Sequence, residues 1–446
     1  MLARDVKPFA PGRTEKIDEQ SFLFPKTNLS GWLPAYQDSK QPACYVQALF
    51  VWNPDLRFPS APGNVFSERH PISLPLKTET IKLELSHQIP AESLPPETDR
   101  LKFVKIQSKL LSEFHKRPIF LRAGIILPRD YEKDSSKNYP LWVRIGGLNV
   151  RYTSVTNLME HHSELSHLWE QDNTPRFILL QLDGAGPLGD PYQVNSENSG
   201  PYGDAVTQEL IPHIEKQFRA IGNPHSRVLS GTSTGGWVAL ALQIFYPDFF
   251  NGAWISCPDP VDFRALELIN IYQDENAFVN EHGNERPSER NSRGDVVLTM
   301  RQEVGVENLL GTGNSYTLSG EQWGAWNATF SPRGADGLPV PIWDPQTGKI
   351  TPVVAEHWKK YDLRLVLEKE WKELAPKLQG KLHIASGEAD QYFLNNAVHL
   401  LDEFFHEANP KSDTKIVYGP RQPHGWFNLT PAEVLREMQA AVQQSP

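Results

Sequence analysis

Val228-Leu229-Ser230-Gly231-Thr232-Ser233-Thr234-Gly235-Gly236-Trp237 reads as the end of a strand, a sharp turn and the start of a helix. Val228 and Leu229 are strand formers, and the apolar stretch from Trp237 to Tyr246 has helical character. Between them stands Gly-x-Ser-x-Gly. A serine forced onto a tight strand-to-helix turn needs neighbours without a Cβ, which Gly231, Gly235 and Gly236 supply. The helix that follows aims its free N–H groups at the turn and favours negative charge there. Ser233 is therefore the candidate nucleophile. A serine-capped turn with no chemistry is the plainer alternative, and choosing between them depends on what else the chain holds.

Working outward, apolar runs recur at 103–110, 118–127, 141–145, 177–182, 253–256, 382–385 and 416–418. Helical periodicity lies between several of them. In 204–219 Val206, Leu210, Ile211, Ile214 and Phe218 repeat at three- and four-residue steps, and 396–405 does the same with Val398, Leu401 and Phe404 or Phe405. Alternating strands and helices imply an α/β fold with a mostly parallel sheet flanked by helices, with its sites beyond the carboxyl ends of the strands.

A serine hydroxyl needs a base, and the base needs an orienting carboxylate. On such a sheet the order is serine, acid, histidine. The run Leu382 to Ala385 leads into Ser386-Gly387-Glu388-Ala389-Asp390, and the last run leads into Gly419-Pro420-Arg421-Gln422-Pro423-His424. Asp390 and His424 fit. Glu388 is the rival acid, and His383 reads as a sheet residue. Of fourteen histidines, His424 alone follows the last strand in a Gly/Pro-rich loop. For an oxyanion hole the expected N–H donors are Thr234, after the nucleophile, and Leu148, after Gly146-Gly147. An ordinary tight turn is the alternative for that glycine pair.

The chain has 446 residues, too many for one ordinary core of roughly 100–200. Residues 1–100 read as a small β-rich domain and linker. They include β-formers from Cys44 to Trp52, a period-two segment from Thr80 to Leu85, and a linker bearing Pro90, Pro95 and Pro96. Residues 101–446 form the larger domain, with 258–380 as an insertion or lid. That insertion holds Trp323, Trp326, Trp343 and Trp358, each either a ligand face or simple packing.

At 39% hydrophobic and 22% charged residues this is a globular composition, and no apolar run approaches the ~18 residues of a membrane span. A net charge of −10 without a basic cluster argues against nucleic acid. Two cysteines, Cys44 and Cys257, exclude a disulfide framework, and their pairing is left open. His161-His162 lacks the companions of a metal site, so neither metal nor cofactor is expected. The charged start, Met1 to Asp5, predicts either a cytosolic protein or one whose leader has been removed.

With Ser233, Asp390 and His424 in their motifs, the chain resembles the Putative esterase family of α/β-hydrolases, which includes esterase D and feruloyl esterases. Asp190 to Asp204, Glu209 to Pro212, Tyr45 to Ala48 and Pro62 to Asn64 share the likeness. It implies an α/β-hydrolase fold, a serine esterase acting on an acylated small molecule or carbohydrate, and a two-domain subgroup. An acyltransferase with the same acyl-enzyme and a non-catalytic binding protein are the alternatives. The family usually has a histidine–glycine pair where this chain has Ile145-Gly146-Gly147-Leu148, and the N-terminal domain of similar proteins begins earlier, so the resemblance implies the expectation that Met1 is a start within a longer precursor. Trp237 and Trp426, beside the nucleophile and the base, are the candidate substrate-binding residues. Tyr192 and Asn195 join them by resemblance and loop position.

Overall fold

The computed structural model describes residues 2–6, 11–18, 21–23, 44–72, 80–159 and 163–444. Met1, His161 and His162 fall outside them. Eight strands form the central sheet: β1 (Leu101–Ser108), β2 (Ile119–Ile126), β3 (Leu141–Ile145), β4 (Ile178–Leu182), β5 (Arg227–Ser233), β6 (Ala253–Pro258), β7 (Leu382–Gly387) and β8 (Lys415–Gly419). Their spatial order is β8-β7-β6-β5-β3-β4-β2-β1. From β4 to β8 neighbouring strands are parallel, while β2 runs antiparallel to β4 and β1 antiparallel to β2.

The inner strands form where the sequence predicts because they are apolar on both faces. Leu141, Val143 and Ile145 enter one core while Trp142 enters the other, and Ile178 and Leu180 alternate with Leu179 in the same way. Period-two alternation between two buried faces is the signature of a sheet covered on both sides. The first face is covered by α2 (Ile211–Gln217), α3 (Thr234–Phe245), α5 (Leu363–Leu378) and α6 (Asn395–Glu407). The second is covered by α1 (Glu164–Glu170) and α7 (Pro431–Gln444), whose Val434, Leu435 and Met438 pack on Trp254 and Val228.

One reading changes. Thr80 to Leu85 keeps an alternating burial pattern but forms no strand, because its backbone is not in a ladder. The segment 258–380 packs against the main body. Its α4 (Gln322–Phe330), α5 and all four tryptophans are buried in the main core. Packing accounts for Trp343 and Trp358, which sit against Tyr316 and Phe330.

The described residues before β1 form three short antiparallel sheets, Leu2–Ala3 with Phe22–Leu23, Cys44–Val46 with His70–Ile72, and Leu49–Phe50 with Val65–Phe66 and His87–Gln88. Their buried Leu56 and Ala61 cluster with Ala185 of the main body. Arg57 donates to Leu318 O at 2.6 Å, and Glu92 binds both Arg151 (2.7 Å) and the Tyr152 hydroxyl (3.0 Å). The proline-rich linker is thus a strap tied to the loop after β3.

The packing of the β5–α3 turn generates the first prediction. A Cβ on Gly231 would stand 1.9 Å from Gly235 O. Gly231→Ala should lower the unfolding free energy by on the order of 3 kcal/mol, read by urea denaturation. A loss under about 1 kcal/mol would mean that the turn relaxes freely.

Candidate active site

Ser233 ends β5 with φ 60 and ψ −128, a conformation that L residues rarely adopt. The turn closes because its neighbours lack side chains. A Cβ on Gly235 would lie 2.3 Å from Ile145 O, and one on Gly236 would lie 2.9 Å from Ser256 O. Helix α3 starts at Thr234, directly after the serine, and Ser233 makes no side-chain cap. Its first N–H groups therefore point at the turn without a side-chain partner.

The loops after β7 and β8 are built as one unit. A Cβ on Gly387 would strike Pro423 O at 2.3 Å, so only glycine lets the two loops touch. Glu388 N–H donates to Gly419 O at 3.0 Å and Ala389 N–H to Gln422 O at 2.9 Å. The Gln391 side chain accepts from His424 N–H at 2.7 Å. Within this frame the Asp390 carboxylate, fully buried, accepts from Tyr392 N–H at 2.9 Å on Oδ1 and pairs through Oδ2 with His424 Nδ1 at 2.8 Å. Arg290 Nε donates to the Asp390 carbonyl at 2.9 Å and braces the loop from outside. The Asp390 bond places the imidazole proton on Nδ1 and leaves Nε2 as the acceptor. Burial pushes the His424 pKa down, but the hydrogen bond and charge of Asp390, with the charge of Asp259, outweigh it and hold the pKa above the usual histidine value.

Glu388, the rival acid, pairs instead with His399 at 3.1 Å. His383 is a sheet residue, stacked on Trp254 with ring centroids 4.4 Å apart. The loop after β3 lies over the serine, since a Cβ on Gly147 would be 3.9 Å from Ser233 Cβ. Leu148 follows, half-buried against the core. Asp190 ties this loop to the next by accepting from Asn149 N–H at 3.1 Å and Tyr192 N–H at 3.0 Å. Burial lifts its pKa to about 8.

The four candidate substrate contacts fare differently. Trp237 is wholly buried against Tyr192 and Phe330, so it is a core residue supporting the pocket from behind. The Trp426 indole packs on Gly419, the end of β8. Asn195 is exposed and exchanges hydrogen bonds with Asp204 at 3.0 Å, away from the serine. Tyr192 reaches the site, because its hydroxyl lies 3.2 Å from Thr234 Oγ1 and donates to Asp259 at 2.5 Å.

Asp259 is the residue that sequence reading missed. It follows β6, is buried, and its Oδ1 accepts from the Ser233 hydroxyl at 3.3 Å. Among the described residues this is the bond Ser233 Oγ makes, rather than one to His424. The available signal was its place, next after a strand adjoining that of the nucleophile. Cys257, beside it, is a free buried thiol whose sulfur lies within 4.8 Å of ligand atoms of Asp390 and His424. Its Sγ is 3.5 Å from both Trp426 O and Gly387 N, so it has backbone partners.

Residues 121–424 match the family model described as Putative esterase. The chain belongs to that family. Membership makes it a carboxylic ester hydrolase with an α/β-hydrolase fold, as the resemblance implied. No curated protein matches it. Among solved structures, a ferulic acid esterase aligns at 13% identity and TM-score 0.44, covering 77% of this chain and 96% of that one. FphF, a fluorophosphonate-binding serine hydrolase of Staphylococcus aureus, aligns at 14% and 0.42, covering 77% and 99%. An S-formylglutathione hydrolase from Agrobacterium tumefaciens aligns at 14% and 0.41, covering 77% and 94%. No helix among the described residues is long and apolar enough to cross a membrane.

The raised His424 pKa fixes the sign of a pH effect. A protonated imidazole cannot accept the serine proton, so kcat/KM should fall as pH drops through a pKa above the ordinary histidine value. Asp390→Asn removes the largest raising interactions. Its acid limb should move to lower pH while kcat falls about 10³- to 10⁴-fold, measured as a pH–rate profile of each protein.

Proposed function

We propose that Ser233, His424 and Asp390 form a catalytic triad that hydrolyses the ester of an acylated small molecule or carbohydrate through an acyl-enzyme. The observation that carries this reading is the 2.8 Å bond between buried Asp390 and His424 Nδ1, which leaves Nε2 free to serve a serine held on a strained turn. Rotation of the Ser233 side chain away from Asp259 presents its hydroxyl to Nε2. His424 takes the proton as Oγ attacks the carbonyl carbon, and Asp390 stabilises the imidazolium. The N–H groups of Thr234 and Leu148 receive the oxyanion in this reading, which is supported by the start of α3 at Thr234 and by the approach of the Gly147 loop to Ser233. His424 then donates its proton to the departing alcohol and activates a water that releases the acid. These steps draw every reacting proton from Ser233 and water, with His424 as the carrier.

A fluorophosphonate probe with mass-spectrometric mapping tests this reading. Wild-type protein should carry the adduct on Ser233, while Ser233→Ala carries none and His424→Ala reacts at least about 10³-fold more slowly. A folded wild type that stays unlabelled, or an adduct elsewhere, would count against the triad.

A further inference from the structure

Strand β6 pairs with β5 in register from Leu229↔Ala253 to Thr232↔Ser256, and the next pair is Ser233↔Pro258. Cys257, with φ 40, is the extra residue of this bulge. A bulge re-aims the residues that follow it. Here it turns Asp259 toward the nucleophile, and Asp259 N–H donates to Ser233 O at 3.2 Å. Pro258 and Pro260 on either side restrict the backbone.

The two oxygens of this carboxyl have different surroundings. Oδ2 accepts from Tyr192 OH (2.5 Å), Thr234 Oγ1 (2.9 Å), Gln322 Nε2 (3.3 Å) and Trp326 Nε1 (3.3 Å). Oδ1 meets the Ser233 hydroxyl. The crowded oxygen anchors the group, and the other faces the atom to which an acyl group would be attached.

Further acids stand near. Glu267, buried and at φ 53, interacts with both Asp259 and Asp390, and its Oε2 has no hydrogen-bond partner among the described residues. Glu303 accepts from Trp323 Nε1 at 2.8 Å and from Ser288. Among the described residues these three carboxyls accept from hydroxyls, indoles and the Gln322 amide, and none of them forms an ion pair with a lysine or arginine. Buried acids are ordinarily paired with a cation, because an unpaired charge away from water is costly. At rest the burial raises the pKa of all three. A bound cation would supply the missing charge.

We infer that Asp259, backed by Glu267, determines specificity at the acyl side of Ser233 and selects an acyl group that carries an ammonium. His424 serves the leaving alcohol. The carboxyl held by Tyr192, Thr234 and the α4 residues Gln322 and Trp326 lies on the side of the elbow helix and faces the acyl chain. The substrate class is therefore an aminoacyl ester. This rests on the triad reading above and narrows its substrate.

The test compares phenyl esters of β-alanine and of butyric acid, whose acyl chains differ by an ammonium in place of a methyl group, each rate normalised to hydroxide hydrolysis. Wild type should favour the β-alanine ester in kcat/KM by about tenfold or more. Asp259→Asn and Glu267→Gln should each bring that ratio down toward unity, chiefly by raising KM for the cationic ester. Fluorophosphonate labelling of each variant reports whether Ser233 is still presented, which separates lost selectivity from a damaged elbow. Because Asp259 touches the nucleophile, Glu267→Gln is the deciding variant. Hydrolysis of the butyrate ester at an equal or higher rate by a wild type that labels at Ser233 overturns this inference and leaves the triad standing. So does a ratio that survives in Glu267→Gln. Failure of both labelling and turnover overturns the two readings together.

Discussion

The backbone of Ser233 is the constraint on which the rest of this molecule depends. A non-glycine residue in a sparsely populated conformation costs about 1–3 kcal/mol and persists only where its surroundings over-determine it. Those surroundings are identifiable. Gly231 and Gly235 pass within a distance that no Cβ permits, Gly235 lies against the end of β3, and Gly236 lies against the end of β6. The elbow is thereby wedged between the two strands that flank β5, so the register of the central sheet fixes the position of the nucleophile. The buried faces of β3 to β6, one to each core, lock that register in turn, since a slip by one residue would exchange the two faces.

His424, the proposed base, is positioned by a second and separate close approach. Gly387 allows the β7 and β8 loops to touch, and the backbone bonds of Glu388 and Ala389 to Gly419 and Gln422 hold them in contact. Asp390 and His424 therefore move as one piece. Loops of different strands would otherwise fluctuate independently, and a 2.8 Å bond between their side chains would not by itself hold them. A third tie, through Asp190, joins the loops after β3 and β4, and Asn149 Nδ2 donates onward to Gly320 O at 2.9 Å in the 258–380 segment. The N-terminal residues reach the same place, since a Cβ on Gly320 would meet Arg57 O at 2.0 Å. Parts of the chain far apart in sequence thus converge behind the candidate oxyanion loop.

What the sequence made legible follows from range. Strand positions, the elbow and the order Ser233, Asp390, His424 are written in local patterns: a period, a glycine spacing, a loop after a strand. The eight strands of the sheet lie within a few residues of their expected places for that reason. Trp237 and Trp426 were assigned to the pocket by adjacency along the chain and Asn195 by resemblance and loop position, yet an indole next to a serine in sequence can point to the opposite side of its helix. Trp237 does, into the core. The fate of 258–380 was equally hidden, because whether four tryptophans cover a ligand or one another depends on contacts between distant helices. Asp259 was missed for a subtler reason. Its orientation comes from a bulge at Cys257, which shows in the pairing of β5 with β6 and in nothing local.

These ties make the two sides of the nucleophile unlike. Tyr192, Thr234 and Asp259 are all buried beneath α4 and cross-bonded to one another, whereas Tyr392, edge-on to the His424 ring at 5.1 Å, is exposed, as are Gln422 and Pro423 beside it. In the proposed mechanism a leaving alcohol that departs past His424 meets solvent at once, and an acyl group on Ser233 faces a closed, acid-lined wall. Discrimination at such a site falls on the acyl half of the substrate, where each contact is desolvated and each charge must be met, and tolerance falls on the alcohol half, where water can replace any contact that is lost.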